Sequence, residues 1–289
     1  MYKQNWPRNT NQDERLKKLT DKAQDIRERV LETCIKAKTG HLTSSFSCID
    51  MLVSLYFGGV MRIDPENPDW DERDYFILSK GQASPALYTI LADLGFYPMA
   101  ELEKFAQEDG IFGVHLQHSV PGVEITAGSL GLGYGVVAGL ALGARMRLEN
   151  RITVAMLGDG ECYEGSIWET AAFVAHQRLN NLITIVDRNY MCATDFTENL
   201  IALEPLEEKW SSFGFDVRRI DGHDMAQIDE TFSHFRGRHG SKPLLIIADT
   251  VKGQGIPSLS NQPYWHGLAP TGDYATLARA ELKESFENE

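Results

Sequence analysis

Apolar residues in the first part of the chain recur at the spacing of helices. Between residues 13 and 38 they stand three or four positions apart, at Leu16, Leu19, Ala23, Ile26, Val30 and Cys34. This spacing predicts an amphipathic helix. Further helices are predicted over 47–57 and 84–95 and a strand over 75–79, whereas residues 58–74 are rich in Pro, Asp and Asn and predict a loop.

The later part alternates between two kinds of segment. Residues 151–157, 181–187 and 243–250 are continuous apolar, β-branched runs, typical of strands buried on both faces. Helical patterns cover 165–180, about 200–213 and 224–238. The alternation predicts an α/β fold, a parallel sheet with helices on both faces. Since no low-complexity linker occurs between residues 40 and 270, we expect one domain over 1–289, with a helical segment at about 13–60 packed on it.

A glycine-rich segment needs separate treatment. Residues 125–144 carry no charge and could match a membrane span in length, but six glycines and three polar residues make a buried helix the better interpretation. Four of the glycines recur every four residues and form one stripe on a helix: Gly131, Gly135, Gly139 and Gly143. Such a stripe indicates close backbone packing, either against the sheet or across an oligomer interface.

Composition narrows the possible partners. The net charge of -13 argues against nucleic acid and anionic membranes. The four cysteines (34, 48, 162 and 192) form no CxxC pair and accompany no histidine cluster, so neither zinc nor a disulfide framework is indicated. Free thiols and a polar N-terminus without an apolar signal core predict a cytoplasmic protein.

An acid flanked by glycines stands at the end of one predicted strand. Asp159 lies between Gly158 and Gly160, and Asn189 follows the next strand thirty residues later (189 − 159), about one βαβ unit. The right-handed crossover puts both strand ends at the same edge, so Asp159 and Asn189 can converge.

Their chemistry suggests a metal. A carboxylate and an amide carbonyl are hard oxygen ligands suited to Mg²⁺ or Ca²⁺, with phosphate oxygens, water and a backbone carbonyl completing the shell. Flanking glycines let a bulky anion approach the backbone. The pattern therefore predicts a metal-bridged diphosphate site; the alternative is a strand-end turn in which Asp159 is a solvated or capping acid.

The pattern "GDG…NN…DRN" resembles the thiamine-diphosphate signature, and specifically that of transketolases. The resemblance covers about residues 15–280. Four further motifs agree in order: "TGHLTSSFSCIDMLVSLYF", "RDYFILSKGQASPALY", "GVHLQHSVPGVEITAGSLGLG" and "DTVKGQGIPSLSNQPYWHGLAP". The resemblance implies the diphosphate-binding (PP-type) fold of thiamine-diphosphate enzymes.

The resemblance also implies roles for individual residues. The implied metal ligands are Asp159, Asn189 and the backbone carbonyl of Met191. The implied cofactor contacts are Ser44, Lys80, Gln82, Gly128, Ser129, Leu130, Asp159, Gly160, Glu164, Asn189, Lys252 and His266. Lys80 and Lys252 would balance the diphosphate charge. The implied catalytic residues are His41, His115 and His266, because imidazoles polarise oxygens and move protons near neutral pH. The other five histidines are interpreted as structural, although His223 lies in a family-like "DGHD" loop.

The implied activity is transfer of a two-carbon ketol unit from a ketose to an aldose acceptor, with thiamine diphosphate and Mg²⁺ or Ca²⁺ as cofactors. Two departures qualify it. Gln82 replaces a family histidine and cannot act as an acid near pH 7, which puts the ordinary pentose-phosphate substrates in doubt. Two kinds of ketose stay open, an ordinary ketose phosphate and one with a variant head group. Single-chain transketolases also continue for several hundred residues beyond this point.

The missing half implies a partner. We expect a second subunit of about 300 residues, the scale of one further large domain, carrying the pyrimidine-binding domain and the catalytic Glu. The family suggests two copies of each chain, an α2β2 heterotetramer. The acidic chain has few basic residues free for a sugar phosphate, so the substrate anion would be held elsewhere.

Two alternatives stay open. A dinucleotide-dependent dehydrogenase is suggested by the loose G-x-G-x-x-A match at Gly133, Gly135 and Ala138, but the preceding segment is a poor strand. A non-catalytic scaffold or regulatory subunit is conceivable because of Gln82. The presence of Asp159, Asn189, His41 and His266 argues against it.

Overall fold

The computed structural model describes residues 11–233, 235 and 242–287. Within them lies one sheet of five parallel strands, in the order β1-β2-β3-β5-β4. The strands are β1 (Tyr75–Leu78), β2 (Thr153–Gly158), β3 (Leu182–Arg188), β4 (Asp216–Asp221) and β5 (Leu244–Asp249).

Helices precede, connect and follow these strands. They are α1 (Gln12–Ala37), α2 (Leu42–Phe46), α3 (Ile49–Phe57), α4 (Ser84–Leu94), α5 (Leu132–Met146), α6 (Gly165–His176), α7 (Thr197–Leu200), α8 (Leu206–Phe213), α9 (Met225–Ser233) and α10 (Asp273–Glu287). Short 3₁₀ turns cover Gly81–Ala83, Met99–Lys104, Gly160–Tyr163 and Pro263–Trp265.

Side chains alternate along each strand and so feed two cores. Val154 and Met156 join the core that includes residues of α1, α3, α4, α9 and α10. Ala155 and Leu157, the intervening residues of β2, join the core formed with α5, α6 and α8 on the opposite face. Both faces of the sheet are therefore buried, which explains the continuous apolar runs. The predicted α/β fold with a parallel sheet is confirmed.

Most predicted elements are confirmed to within a few residues, and the exceptions have physical reasons. Strand β4 was missed because its sequence, DVRRID, has no apolar run; it is an edge strand and only partly buried. Of the predicted helix over 200–213 only Leu206–Phe213 (α8) is helical, because Pro205 interrupts the pattern; the short α7 ends at Leu200. The last residues of the predicted helix over 224–238 lie largely outside the described residues.

The glycine stripe is only partly buried: Gly131 packs closely against Glu164 and Ser166, whereas the middle of the stripe is open. Gly135 and Gly139 are exposed on α5, and a Cβ at Gly139 would meet no atom within 4 Å. Val136 and Met146 on the same helix, and Phe173 on α6, are also exposed, at 42%, 76% and 41%. Of the two alternatives for the stripe, internal packing is wrong for these glycines. In the part of the chain described, no helix is long and apolar enough to cross a membrane.

Strand register determines where the functional residues meet. Gly158 at the end of β2 pairs with Asp187 of β3, and Arg188 pairs with Asp249 at the end of β5. The residues that follow these strands therefore emerge at the same edge of the sheet. This carboxyl edge is where ligands bind in open α/β sheets.

Candidate functional site

A cavity of about 300 Å³ opens at the carboxyl edge of the sheet. It contains most of the residues that the sequence singled out. Its lining consists of His41, Ser44, Lys80, Gln82, His115, Gly128, Leu130, Gly158, Asp159, Gly160, Glu161, Asn189, Met191, Cys192, Ala193, Lys252 and His266.

The buried carboxylate of Asp187, at the end of β3, connects several of the elements that form the cavity. Its Oδ2 accepts hydrogen bonds from Ser47 Oγ at 2.7 Å and from Asn189 Nδ2 at 3.2 Å, and forms an ion pair with Lys80. Its Oδ1 accepts from Thr250 Oγ1. Burial opposes ionisation of Asp187, but Lys80 and these donors outweigh it and lower its pKa. Asp187 thus joins three strand ends to the loop before α3.

Lys80 is therefore positively charged in the folded chain. Its Nζ also donates to the Ser44 carbonyl at 2.9 Å, and its side chain is 1% exposed. Burial alone would lower its pKa, yet the Asp187 carboxylate raises it. The positive charge of Lys80 is therefore already balanced within the chain.

Asp159 is buried where β2 meets the Gly160–Tyr163 turn. Its Oδ2 accepts from Arg188 Nη1 at 3.0 Å and from the Tyr190 amide at 2.6 Å, while Oδ1 accepts from the Gly160 amide at 2.8 Å. Burial raises its pKa to about 6, with Arg188 opposing the shift. A carboxylate held in this way has a fixed orientation and an incompletely balanced charge.

The chain after β3 turns sharply. Tyr190 has φ of 64°, in the left-handed region that non-glycine residues rarely adopt, and its hydroxyl donates to Asp249 at 2.6 Å. This turn presents Asn189 and Met191 to the same cavity. The Asn189 side-chain amide nitrogen donates a hydrogen bond to Asp187, which orients the Asn189 side chain. The Met191 carbonyl accepts no hydrogen bond from the described residues.

Lys252 differs from Lys80 in its surroundings. Its Nζ donates to the Cys192 carbonyl at 2.9 Å and contacts His266 Nδ1 at 2.8 Å, and no carboxylate of the described residues forms an ion pair with it. Burial and the neighbouring Lys80 lower its pKa to about 8. Lys252 is a buried cation without a counter-ion in the described chain, so the site favours an anion.

Three histidines lie on one side of the cavity. The His41 ring is 5.2 Å, between centroids, from both the His115 and the His266 rings. Burial and the nearby cations lower the pKa of His41 to about 4 and that of His266 to about 3, and burial lowers that of His115. At neutral pH His41 and His266 are therefore neutral imidazoles, each able to donate a hydrogen bond from one ring nitrogen and accept at the other. His41 Nδ1 is buried and has no hydrogen-bond partner among the described residues.

Gln82 reaches the cavity from the Gly81–Ala83 turn. A Cβ on Gly81 would lie 2.7 Å from the Cβ of Ala127, so only glycine lets this turn approach the loop that carries Gly128. The Gln82 amide has no hydrogen-bond partner within the described residues. It is therefore available to a ligand.

Two predicted contacts lie outside the cavity. Ser129 and Glu164 are exposed and do not line it; Glu164 instead stands beside Gly131. Four contributors were missed, namely Asp187, Glu161, Cys192 and Ala193. Asp187 is itself the first residue of the quoted DRN, and the other three lie one or two positions from a motif residue in sequence; these were the signals that could have indicated them.

Glu161 has a supporting position. Its carboxylate accepts from the Gly131 amide at 2.8 Å, the Gly158 amide at 3.2 Å and Ser79 Oγ. These bonds hold the start of α5 against the end of β2. The histidines interpreted as structural lie elsewhere: His118 and His176 are exposed, His223 contacts Asp50, and His234 and His239 fall outside the described residues.

The arrangement suits a divalent cation with oxygen ligands. One carboxylate, one amide carbonyl and one open backbone carbonyl, from Asp159, Asn189 and Met191, are the donor types that Mg²⁺ and Ca²⁺ prefer. Across the described ranges, no group of three or more His, Cys, Asp or Glu side chains could hold a metal. Softer metals that need such clusters are thus not favoured there.

Fold, cavity and motifs together define a thiamine-diphosphate-binding protein, and comparison with known proteins agrees. The family described as "Transketolase, thiamine diphosphate binding domain" matches residues 19–287. The chain belongs to this family, as its motifs predicted.

Individual relatives extend this result. The chain is 36% identical over 261 residues to a protein named as one subunit of the apulose-4-phosphate transketolase of Phocaeicola vulgatus, covering 90% of this chain and 92% of that protein. It is 38% identical over 268 residues to the 6-deoxy-6-sulfo-D-fructose transketolase subunit SqwG of Clostridium sp., covering 92% and 96%. It superposes on the transketolase of Campylobacter jejuni with a TM-score of 0.83 and 28% identity, covering 93% of this chain but 42% of that one.

The two lysines predict opposite effects on stability. Lys252→Met removes a buried cation that has no counter-ion among the described residues and should stabilise the ligand-free chain at pH 7 by on the order of 2 kcal/mol. Because the folded pKa of Lys252 is lowered, this gain is full below about pH 8 and fades as pH rises toward the ordinary lysine value. Lys80→Met strands Asp187 and should destabilise by about 3–5 kcal/mol.

Urea unfolding of both variants and the wild type provides the measurement. The two substitutions are matched in side-chain chemistry and burial, so each serves as the control for the other. A loss of stability in Lys252→Met as large as that in Lys80→Met would contradict the charge assignment.

Proposed function

We propose that this chain is the diphosphate-binding subunit of a two-chain transketolase, which transfers a two-carbon ketol unit from a ketose to an aldose acceptor. The observation that carries the proposal is the convergence of Asp159, Asn189 and the Met191 carbonyl beside Lys252 in one cavity. Membership of the transketolase family supports it.

The lining residues fit thiamine diphosphate with Mg²⁺ or Ca²⁺. Asp159, Asn189 and the Met191 carbonyl would hold the metal, and Lys252 would face the diphosphate. Lys80 would contribute indirectly, by keeping Asp187 and hence Asn189 in place. The remaining cofactor contacts would come from Ser44, Gln82, Gly128, Leu130, Gly160 and His266, with Ser129 and Glu164 as outer neighbours. Glycine at position 160 is required by the chain itself, since a Cβ there would lie 2.7 Å from Cys192 Sγ.

The division of chemistry follows from this inventory. When bound, the cofactor supplies the carbanion that accepts and releases the two-carbon unit. His41, His115 and His266 would bind the hydroxyl and carbonyl oxygens of the sugar and move protons at them. Because His41 and His266 are neutral at physiological pH, each can donate a hydrogen bond from one ring nitrogen and accept a hydrogen bond or a proton at the other.

An unlike partner chain would complete the site. Exposed apolar side chains follow or flank residues that line the cavity: Leu132 is 63% exposed, two residues after Leu130, and Tyr264 (72%) and Leu268 (42%) flank His266. Two residues span at most about 7 Å of chain, so the backbone of these exposed residues lies within that distance of Leu130 and His266. Exposed apolar groups around a polar site suit coverage by another protein.

We propose that this partner has about 300 residues, contributes the pyrimidine-binding domain and the catalytic Glu, and assembles as an α2β2 heterotetramer. The relatives of nearly equal length are named as subunits, in agreement with a divided enzyme. The exposed glycine face of α5 is a second surface suited to close packing between chains. Residues 1–289 would act as one domain, in which α1 packs on α3 and α4.

The substrate proposal rests on Gln82. We propose a ketose with a head group other than that of the ordinary pentose phosphates. The relatives named for apulose-4-phosphate and 6-deoxy-6-sulfo-D-fructose show that such substrates occur among similar proteins. A reducing cytoplasm would suit the four free cysteines.

The dehydrogenase alternative has little support. Gly133, Gly135 and Ala138 lie inside α5, and the stretch before them is a loop rather than a strand. The scaffold alternative is supported by one observation, Gln82 in place of the family histidine. Titration with thiamine diphosphate and Mg²⁺ distinguishes the two, because a scaffold would bind neither.

The first prediction concerns the metal. Asp159→Asn keeps the size and an acceptor oxygen but removes the ligand charge, so Mg²⁺-dependent binding of thiamine diphosphate should weaken at least about 100-fold. Calorimetric titration of the complex with its partner measures it. Asp195→Asn, a neighbouring acid outside the cavity, is the control. Equal affinity in Asp159→Asn and wild type would remove Asp159 from the metal site.

The second concerns Gln82. Gln82→His should change kcat/KM among ketose donors or aldose acceptors by roughly tenfold, the effect of one altered polar contact of about 1.4 kcal/mol. Steady-state kinetics over a sugar panel in the complete enzyme test this, with the exposed Gln107→His as control. An unchanged ranking of substrates would show that Gln82 has no part in specificity.

The third concerns the partner. The purified chain alone should be catalytically silent, and adding the partner should restore ketol transfer that depends on thiamine diphosphate and a divalent metal. A coupled assay of the aldehyde product measures this, with EDTA-treated enzyme as control. Full activity of the single chain would refute the two-chain proposal.

A further inference from the structure

A second polar cluster lies behind the cavity wall, between α1, α3 and the loop after β4. Arg27 of α1 binds Asp50 of α3 through both Nη atoms, with Nη1 to Oδ1 at 3.0 Å. His223, in the loop after β4, lies with Nδ1 2.7 Å from Asp50 Oδ2. All three side chains are largely buried, with His223 14% exposed.

The other ring nitrogen of His223 contacts the backbone of the site. The Val251 amide donates to His223 Nε2 at 2.8 Å. An amide is only a donor, so Nε2 must be the acceptor and the imidazole proton must sit on Nδ1, where Asp50 accepts it. The geometry thus fixes a single neutral tautomer of His223.

The segment held in this way carries two residues of the cavity. Thr250 donates its hydroxyl to Asp187 and its amide to the Arg188 carbonyl, and Lys252 extends its ammonium into the cavity. Val251 stands between them, just past the end of β5, and its amide bonds to His223 rather than to the sheet. Since buried amides need partners, His223 supplies the support that the sheet no longer provides.

The loop is shaped for this contact. Its Gly222 lies so close to β5 that a Cβ would be 2.4 Å from Thr250 Cγ2, and its amide donates to the Asp249 carbonyl at 2.7 Å. Asp221 Oδ1 accepts from the His223 amide at 2.9 Å. His223 is therefore held in place from the loop as well as from Asp50.

We infer that His223 is a positioning residue: oriented by Asp50, it accepts the Val251 amide and so sets the place of Lys252 in the cavity. This inference rests on the proposed function only for the identity of the ligand at Lys252. It assigns the histidine of the DGHD loop a role in anion binding from outside the cavity.

Two substitutions separate this role from simple packing. His223→Asn places an amide nitrogen where Nδ1 was and keeps the Asp50 contact, but has no atom that reaches Val251. His223→Gln places an acceptor oxygen where Nε2 was and keeps the Val251 contact. His176→Asn, on the exposed face of α6, is the control.

The first readout is hydrogen exchange of the peptide containing residues 250–253 in the full chain without ligand. Exchange of the Val251 amide should quicken roughly tenfold in His223→Asn, the effect of one lost hydrogen bond, and stay within about threefold of wild type in His223→Gln. Equal protection in wild type and His223→Asn, or equal loss in both variants, would overturn the inference. So would loss of the fold in both variants, because His223 would then support the whole domain.

The second readout uses Mg²⁺ with thiamine diphosphate as the probe, on the chain with its partner. Affinity should fall roughly tenfold in His223→Asn and be restored in His223→Gln. If the wild type bound no thiamine diphosphate, the proposed function would fail, and the exchange measurement would still decide the role of His223. If it bound and the two variants did not differ, only the inference would fail.

Discussion

The site depends on one buried ion pair, between Lys80 at the end of β1 and Asp187 at the end of β3. Asp187 also accepts from Ser47, Asn189 and Thr250, so one carboxylate joins the loop before α3 to the ends of β1, β3 and β5. A buried carboxylate can exist only with such partners, and each partner is thereby fixed in turn. The positions of Asn189 and of the segment leading to Lys252 follow from this constraint.

The second property of the site is its unequal charge. Lys80 is neutralised within the chain, whereas Lys252 has only a carbonyl and an imidazole as described neighbours. The Asp159 carboxylate is shared with Arg188 and keeps a raised pKa of about 6. A metal cation beside Asp159 and an anion beside Lys252 would relieve both imbalances together, which is the arrangement of a metal-bridged diphosphate. The unbalanced charges of Asp159 and Lys252 lower the stability of the ligand-free fold. A ligand that balances them gains this free energy on binding.

Much of the fold and of the site was predictable from the sequence, because strands buried on both faces consist of continuous apolar residues. Those runs located β2, β3 and β5, and the right-handed crossover then placed Asp159 and Asn189 at one edge. The family motifs supplied the histidines and lysines. Strand β4 was not predicted, because an edge strand such as DVRRID needs no apolar run.

What the sequence could not show is how polar side chains are partnered. Lys80 and Lys252 looked alike as cations for a diphosphate, and only the structure distinguishes the paired one from the other. Ser129 and Glu164 are close in sequence to residues that line the cavity, but both are exposed. His223 looked structural because its partners, Asp50 and Val251, are 173 and 28 residues away.

The most direct test of the account is the pKa of the Lys252 ammonium, measured by NMR of the chain with ¹³C-labelled lysine and assigned with Lys252→Met. We expect a pKa near 8 in the ligand-free chain, and a rise to about 10 or above, close to the ordinary lysine value of about 10.4, when Mg²⁺ and pyrophosphate are added. An ordinary value without ligand, or a value that Mg²⁺ and pyrophosphate leave unchanged, would contradict the claim that this cavity is built to receive a metal-bridged diphosphate.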